Sequence, residues 1–184
     1  MDKYSDLYMQ THCIDVFFRH KGIPVHVLTR GCRIPETLND LKRNRTLQER
    51  TELSVRENLS FRNVLDLDVK NNFGIADRII VNEDYWAQLV ENSKAVLREH
   101  YHKEYEEEVQ DLLPSLNEFA NHFAIYASLG FYSYICDDVH EDGTATYVLI
   151  AHPRAIAPTE MDLPEFDIDN IPSDIISMPD TFRM

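Results

Sequence analysis

LNEFANHFAIYASLGFYSYICDDVHEDGTATYVLIAH, residues 116–152, is the stretch whose reading decides the fold. Leu116, Phe119, Ala120, Phe123 and Ala127 recur at three- and four-residue steps and so share one helical face. Pro114 stands just ahead of them, where a first helical turn tolerates a residue without an N–H. Gly130 follows the last periodic residues, the position where a helix ends in a left-handed conformation that glycine adopts cheaply. The period then falls from three or four to two. Phe131–Cys136 and Thr144–Ile150 are rich in aromatic and β-branched residues and flank an acidic loop ending in the turn signal Asp142-Gly143. Both runs are apolar on alternate and intervening positions alike, which predicts central strands covered on two sides.

Working outward, His12–Phe18 and Ile23–Thr29 predict a second hairpin turning at His20-Lys21-Gly22. Here Ile14, Val16, Phe18, Val25 and Val27 suit a core. Asp15, Arg19, His26 and Arg30 point away from it, with Phe17 and Leu28 as exceptions, so this part of the sheet is expected to be partly wet on one face. Pro24 suits an edge or the start of a strand. A short helix is expected in the first dozen residues. Residues 36–59 read as helical with a break near Asn44–Thr46, and Val64–Val69 and Ile79–Val81 as short strands around a turn at Asn71–Gly74. Asn82 is placed to cap a long helix striped by Trp86, Val90, Leu97, Tyr101, Tyr105 and Val109.

The expected architecture is therefore α+β. Hairpins at about 12–29 and 131–151 build a mostly antiparallel sheet, packed by helices at about 83–110 and 114–128, with a mixed sheet as the alternative. Residues 1–154 form one domain, and residues 155–184 an acidic, proline-rich arm. Five of the eight prolines fall within residues 153–179. The arm carries seven acids against Arg183, a composition that cannot build a core of its own. Leu163, Phe166, Ile168, Ile171, Ile175 and Ile176 punctuate it as apolar anchors, suited to extended docking with each side chain in a pocket. The dock is either the arm's own domain, including the basic stretch near Lys42–Arg50, or another chain.

The net charge of −14 is concentrated after residue 60: residues 1–60 carry +2 and residues 61–184 carry −16. Such a polyanion repels phosphate backbones, so direct nucleic-acid binding is disfavoured. Lys42, Arg43, Arg45 and Arg50 form a basic patch, interleaved with Glu36, Asp40, Glu49 and Glu52 as on an ordinary solvated helix. Cys13, Cys32 and Cys136 contain no C-x-x-C; two lie in strand-like runs and read as small buried hydrophobes. No run approaches the ~20 apolar residues of a membrane span, and no signal-peptide pattern opens the chain, so a cytoplasmic location is expected.

Chemistry-bearing clusters are weak by their spacing. His100 and His102 are two residues apart, on opposite sides of a helix, so Glu99, Glu104 and Glu106–Glu108 do not complete a metal site with both. The acidic tip Asp137–Gly143 lacks calcium-loop spacing. His20, His26 and His152 lie near strand ends, with no activated cysteine assignable beside them. No nucleophile elbow or phosphate loop occurs. No catalytic residue, metal site or cofactor is therefore assigned. The reading is a non-enzymatic regulatory, inhibitory or assembly subunit, acting through contact with another protein or a second copy of itself. Two alternatives stand beside it: a metal-dependent or hydrolytic enzyme using His and carboxylates, and an acidic nucleic-acid mimic.

Overall fold

The computed structural model describes residues 2–58, 78–100, 122–141, 145–155, 161–168 and 181–183. The strand expected at Val64–Val69, the helical stretches expected at 101–110 and 114–121, the turn expected at Asp142-Gly143 and the anchors Ile171, Ile175 and Ile176 lie outside them. The elements run α1 (Asp6–Thr11), β1 (Asp15–His20), β2 (Ile23–Leu28), α2 (Leu41–Asn58), β3 (Ile79–Val81), α3 (Glu83–His100), α4 (residues 122–128), β4 (Tyr132–Val139), β5 (Ala145–Pro153) and β6 (Thr181–Arg183). The sheet order is β1-β2-β4-β5-β3, with β6 also pairing β5. Among these strands every pairing is antiparallel except β2–β4, which joins the two hairpins side by side in parallel. This is the α+β architecture that the two hairpins imply.

Local chemistry fixes the elements. β1 turns into β2 through Lys21 and Gly22, whose φ values of 50° and 79° match the right-handed twist of a two-residue hairpin. Ser5 caps α1 by accepting the Tyr8 N–H at 3.2 Å. Asn82 caps α3 by accepting the Tyr85 N–H at 3.1 Å. The expected break at Asn44–Thr46 does not occur. Asn44 donates its side-chain amide to Leu38 O at 3.1 Å and Thr46 bonds back to Lys42 O at 2.8 Å, so neither side chain competes for the helix's own N–H groups.

α4 stops where glycine requires it. The Gly130 N–H reaches Ala127 O at 3.0 Å and the Phe131 N–H reaches Tyr126 O at 3.1 Å, with Gly130 at φ 99°. These paired bonds satisfy helix-end carbonyls and aim β4 back along the sheet. A β-branched side chain is strained at that φ. Gly130→Val is expected to cost about 2 kcal/mol of unfolding free energy, while Asn, which tolerates positive φ, costs less. Urea unfolding of the two variants checks the order.

The sheet is buried on both faces. One face carries Val16, Phe18, Val25, Val27, Tyr134, Cys136, Tyr147 and Leu149 and is covered by Met9, Ile34, Leu38 and Ile168. The other carries Phe17, Leu28, Phe131, Ile135 and Ile150 beneath Phe123, Ala124, Tyr126 and Ala127 of α4. This corrects the expectation of a partly wet face: Asp15 and His26 belong to the α4 face and are buried with it. α4 lies where solvent was expected. Pro24 sits at the start of β2 opposite Arg19, ahead of the parallel pairing that begins at Val25, so its missing N–H costs no ladder bond with β4.

Two later segments pair with β1 and with β5. Arg19 N–H donates to Pro164 O at 2.7 Å and Arg19 O accepts the Phe166 N–H at 2.8 Å, a parallel bridge along β1. Thr181–Arg183 pair antiparallel with Thr146–Val148 of β5. Covering sheet edges removes the unpaired backbone groups that template aggregation.

Candidate functional site

β1, β2, β4 and α4 converge on one polar cluster in the α4 face. His26 lies between Phe17 of β1 and Ser133 of β4 in the sheet register, and Asp15 is one pleat along β1 on the same face. His122 and Tyr126 are one turn apart on α4, which sets both toward the sheet. Asp15 Oδ1 accepts from His26 Nε2 and from His122 Nε2, each at 2.8 Å. With the Nε2 proton committed to Asp15, neutral His26 offers Nδ1 as acceptor, and Ser133 Oγ donates to it at 2.6 Å.

Aromatic rings seal the cluster. Tyr126 stacks on His26 with ring centres 3.9 Å apart and meets His122 edge-on at 4.8 Å. Phe17 lies beside both rings, 5.2 Å from His26 and 5.4 Å from Tyr126. Asp15 is 8% exposed and His26 and Ser133 are 0% exposed, whereas the His122 side chain keeps 34% of its surface. Burial alone would favour a neutral Asp15, but hydrogen bonds from His122 and His26 outweigh it and hold the carboxyl well below its usual range. Burial pushes His26 down to about 4, against the opposing pull of Asp15. At neutral pH the site is thus an ionised carboxylate shared by two imidazoles, one of them neutral and sealed.

Ser133, His26 and Asp15 are bonded in the order of a nucleophilic relay. Acyl transfer, however, needs a substrate carbonyl against Ser133 Oγ, and the serine has no exposed surface. The arrangement instead has the makings of a binding site: three ligand atoms within 4.8 Å of one another, from Asp15, His26 and His122.

A second buried cluster lies on the other face. Cys32 Sγ is 2.8 Å from Tyr147 Oη, and both Cys32 and Cys136 are free thiols in the core. Cys136 and Tyr147 both hydrogen-bond to the Cys32 sulfur, which makes Cys32 the more acidic thiol of the pair. Cys13 is exposed, contrary to its reading as a buried hydrophobe. A small cleft of about 210 Å³ separates α3 from β4 and β5, where Tyr85 donates to Asp137 at 2.8 Å beside Arg30.

The residues singled out from the sequence do not gather in one place. His20 accepts the Ile168 N–H at 3.0 Å, and His152 stacks on Tyr132 at 5.1 Å, so neither joins His26. At the acidic tip, Asp137 meets Tyr85 while Asp138 faces His140 at 3.6 Å, so the two carboxylates diverge. His102 lies outside the described residues. In the basic patch, Arg43 turns back to Thr37 O at 3.1 Å, while Lys42, Arg45 and Arg50 are exposed. Of the arm anchors, Leu163 packs with Leu47, Phe17, Tyr126 and Phe131, Ile168 enters the opposite core, and Phe166 meets Phe18 edge-on at 5.4 Å.

Asp15 and His122 were missed and His26 was grouped with His20 and His152 instead, because Asp15 and His26 fit a wet-face alternation and His122 fell between apolar helix positions. The available signal was an acid opening β1 and an imidazole inside β2 that share a face with the apolar Phe17 and Leu28. Compared with family models, curated proteins and solved structures, the chain has no match. No helix among the described residues is long and apolar enough to cross a membrane.

Proposed function

We propose that this chain acts by protein–protein contact, as a regulatory, inhibitory or assembly subunit, and that the β1 edge with its C-terminal strip is where the contact is made. One observation carries this reading. Residues 163–168 lie extended along β1, with Arg19 giving and receiving backbone hydrogen bonds and its guanidinium reaching Met161 O at 3.2 Å. Backbone pairing plus spaced side-chain anchors is the way an extended peptide is recognised by a sheet edge.

The strip is chemically suited to leaving as well as docking. It is acidic and proline-punctuated, and its described residues are held by the two Arg19 backbone bonds together with Leu163, Phe166 and Ile168. Each fully buried large apolar side chain contributes roughly 1.5–3 kcal/mol. A second copy of the chain presents the same edge to the same strip, so exchange between copies needs no new surface. A foreign strand of similar pattern competes for that edge in the same way.

The test compares full-length protein with a chain ending at residue 158, and adds a synthetic peptide of residues 159–170. Light scattering is expected to show the shortened chain self-associating, with the peptide binding it and reversing the association. A peptide carrying Phe166→Asp is expected to do neither. Full-length protein with Phe166→Asp frees the edge without deleting chain, and is expected to associate as well. A monomeric shortened chain that ignores the peptide contradicts the proposal.

A further inference from the structure

We propose that Asp15, His26 and His122 form a binding site for one divalent transition-metal ion of the zinc type, with Ser133 as the outer partner that orients His26. The cluster belongs to no part of the contact surface above. Its ligand set, two imidazoles and one carboxylate, is the set that borderline cations such as Zn²⁺ take.

The geometry is close to what such an ion needs. Both Nε2 atoms stand 2.8 Å from the same Asp15 oxygen, which places two N–H protons where one cation would sit. Zinc holds N and O at about 2.0–2.2 Å, which sets neighbouring tetrahedral ligands roughly 3.3 Å apart. Opening each contact by about half an ångström is within reach of side-chain rotation.

Proton bookkeeping also closes. When the ion takes both Nε2 lone pairs, each neutral imidazole keeps its one proton on Nδ1. The Nδ1–H of His26 then donates to Ser133 Oγ, so the 2.6 Å contact survives with donor and acceptor exchanged. This is the outer hydrogen bond that metal-bound imidazoles ordinarily make. A dication also neutralises Asp15, whose partners here are the two imidazoles and whose surroundings are rings. The exposed side of His122 gives the ion its route in and leaves a coordination position open to water or a small donor.

The test uses full-length protein stripped with chelator and titrated with Zn²⁺ and with Co²⁺. Calorimetry is expected to give one saturable site. His122→Ala is expected to weaken it at least a hundredfold and Ser133→Ala about tenfold, the usual range for an outer partner. His140→Ala, at the acidic hairpin tip, is expected to change nothing. Imidazole ¹⁵N spectra are expected to show the His26 proton moving from Nε2 to Nδ1 on Zn²⁺ addition. That reading is taken on the unmutated chain and does not depend on any variant folding. Binding that survives His122→Ala, or a His26 tautomer unmoved at saturating Zn²⁺, overturns the assignment.

Discussion

Replacing Asp15 with alanine is expected to lower the unfolding free energy of the metal-free chain by about 2–3 kcal/mol, the cost of stranding buried imidazole N–H groups without an acceptor. The size follows from what is left behind. Two imidazole N–H groups that share Asp15 Oδ1 lose their acceptor together, and His26 has no exposed surface through which water could replace it. Tyr126 stacks on its ring and Phe17 lies tilted beside it. Asp15→Asn keeps an oxygen in the same place and is expected to cost less than half as much. Urea unfolding of the two variants decides the matter. A loss below about 1 kcal/mol for the alanine, the scale of ordinary surface substitutions, would place Asp15 in water after all.

The second large effect is acid lability. His26 is held at about 4 in the folded chain against an ordinary 6.5. Between these values the unfolded chain binds a proton that the folded chain refuses, so stability rises with pH across this window and falls as acid is added. The gap corresponds to about 3 kcal/mol, present in full above pH 6.5 and lost by about pH 4. Asp15 contributes with the same sign but at lower pH. Its carboxyl is held below the ordinary range, so its share is present above the unfolded value and disappears only as pH falls through the folded one. Thermal melts of metal-free protein between pH 7 and pH 4 check this. A flat profile across that range would contradict the burial of His26, and a phenylalanine at position 26 is expected to remove the slope from this window.

Much of the fold could be read from local chemistry. Lys21-Gly22, Gly130 and Asn82 each do what their backbone preferences dictate, the period of two marks β1 and β2, and aromatic and β-branched runs mark β4 and β5. The site was illegible for a non-local reason. Alternation along β1 and β2 says which residues share a face, and it correctly sets Asp15, Phe17 and His26 together. It does not say what covers that face. The cover is α4, and the parallel β2–β4 joint brings Ser133 to His26 across 107 residues of sequence. His122 is equally distant from Asp15. Phe17 and Leu28, the two apolar exceptions on the face read as wet, were the trace of that cover. The arm was more legible, because Leu163, Phe166 and Ile168 stand out against acids and prolines, and burial or ring contact holds each of them.

The sealing of the Asp15–His26–His122 face beneath α4 is most directly tested by imidazole NMR of metal-free protein as pH is lowered from 7.5. His26 is expected to keep its proton on Nε2 and stay neutral until about pH 4. A His26 resonance titrating near 6.5, with its two nitrogens exchanging protons as in a free imidazole, would contradict it.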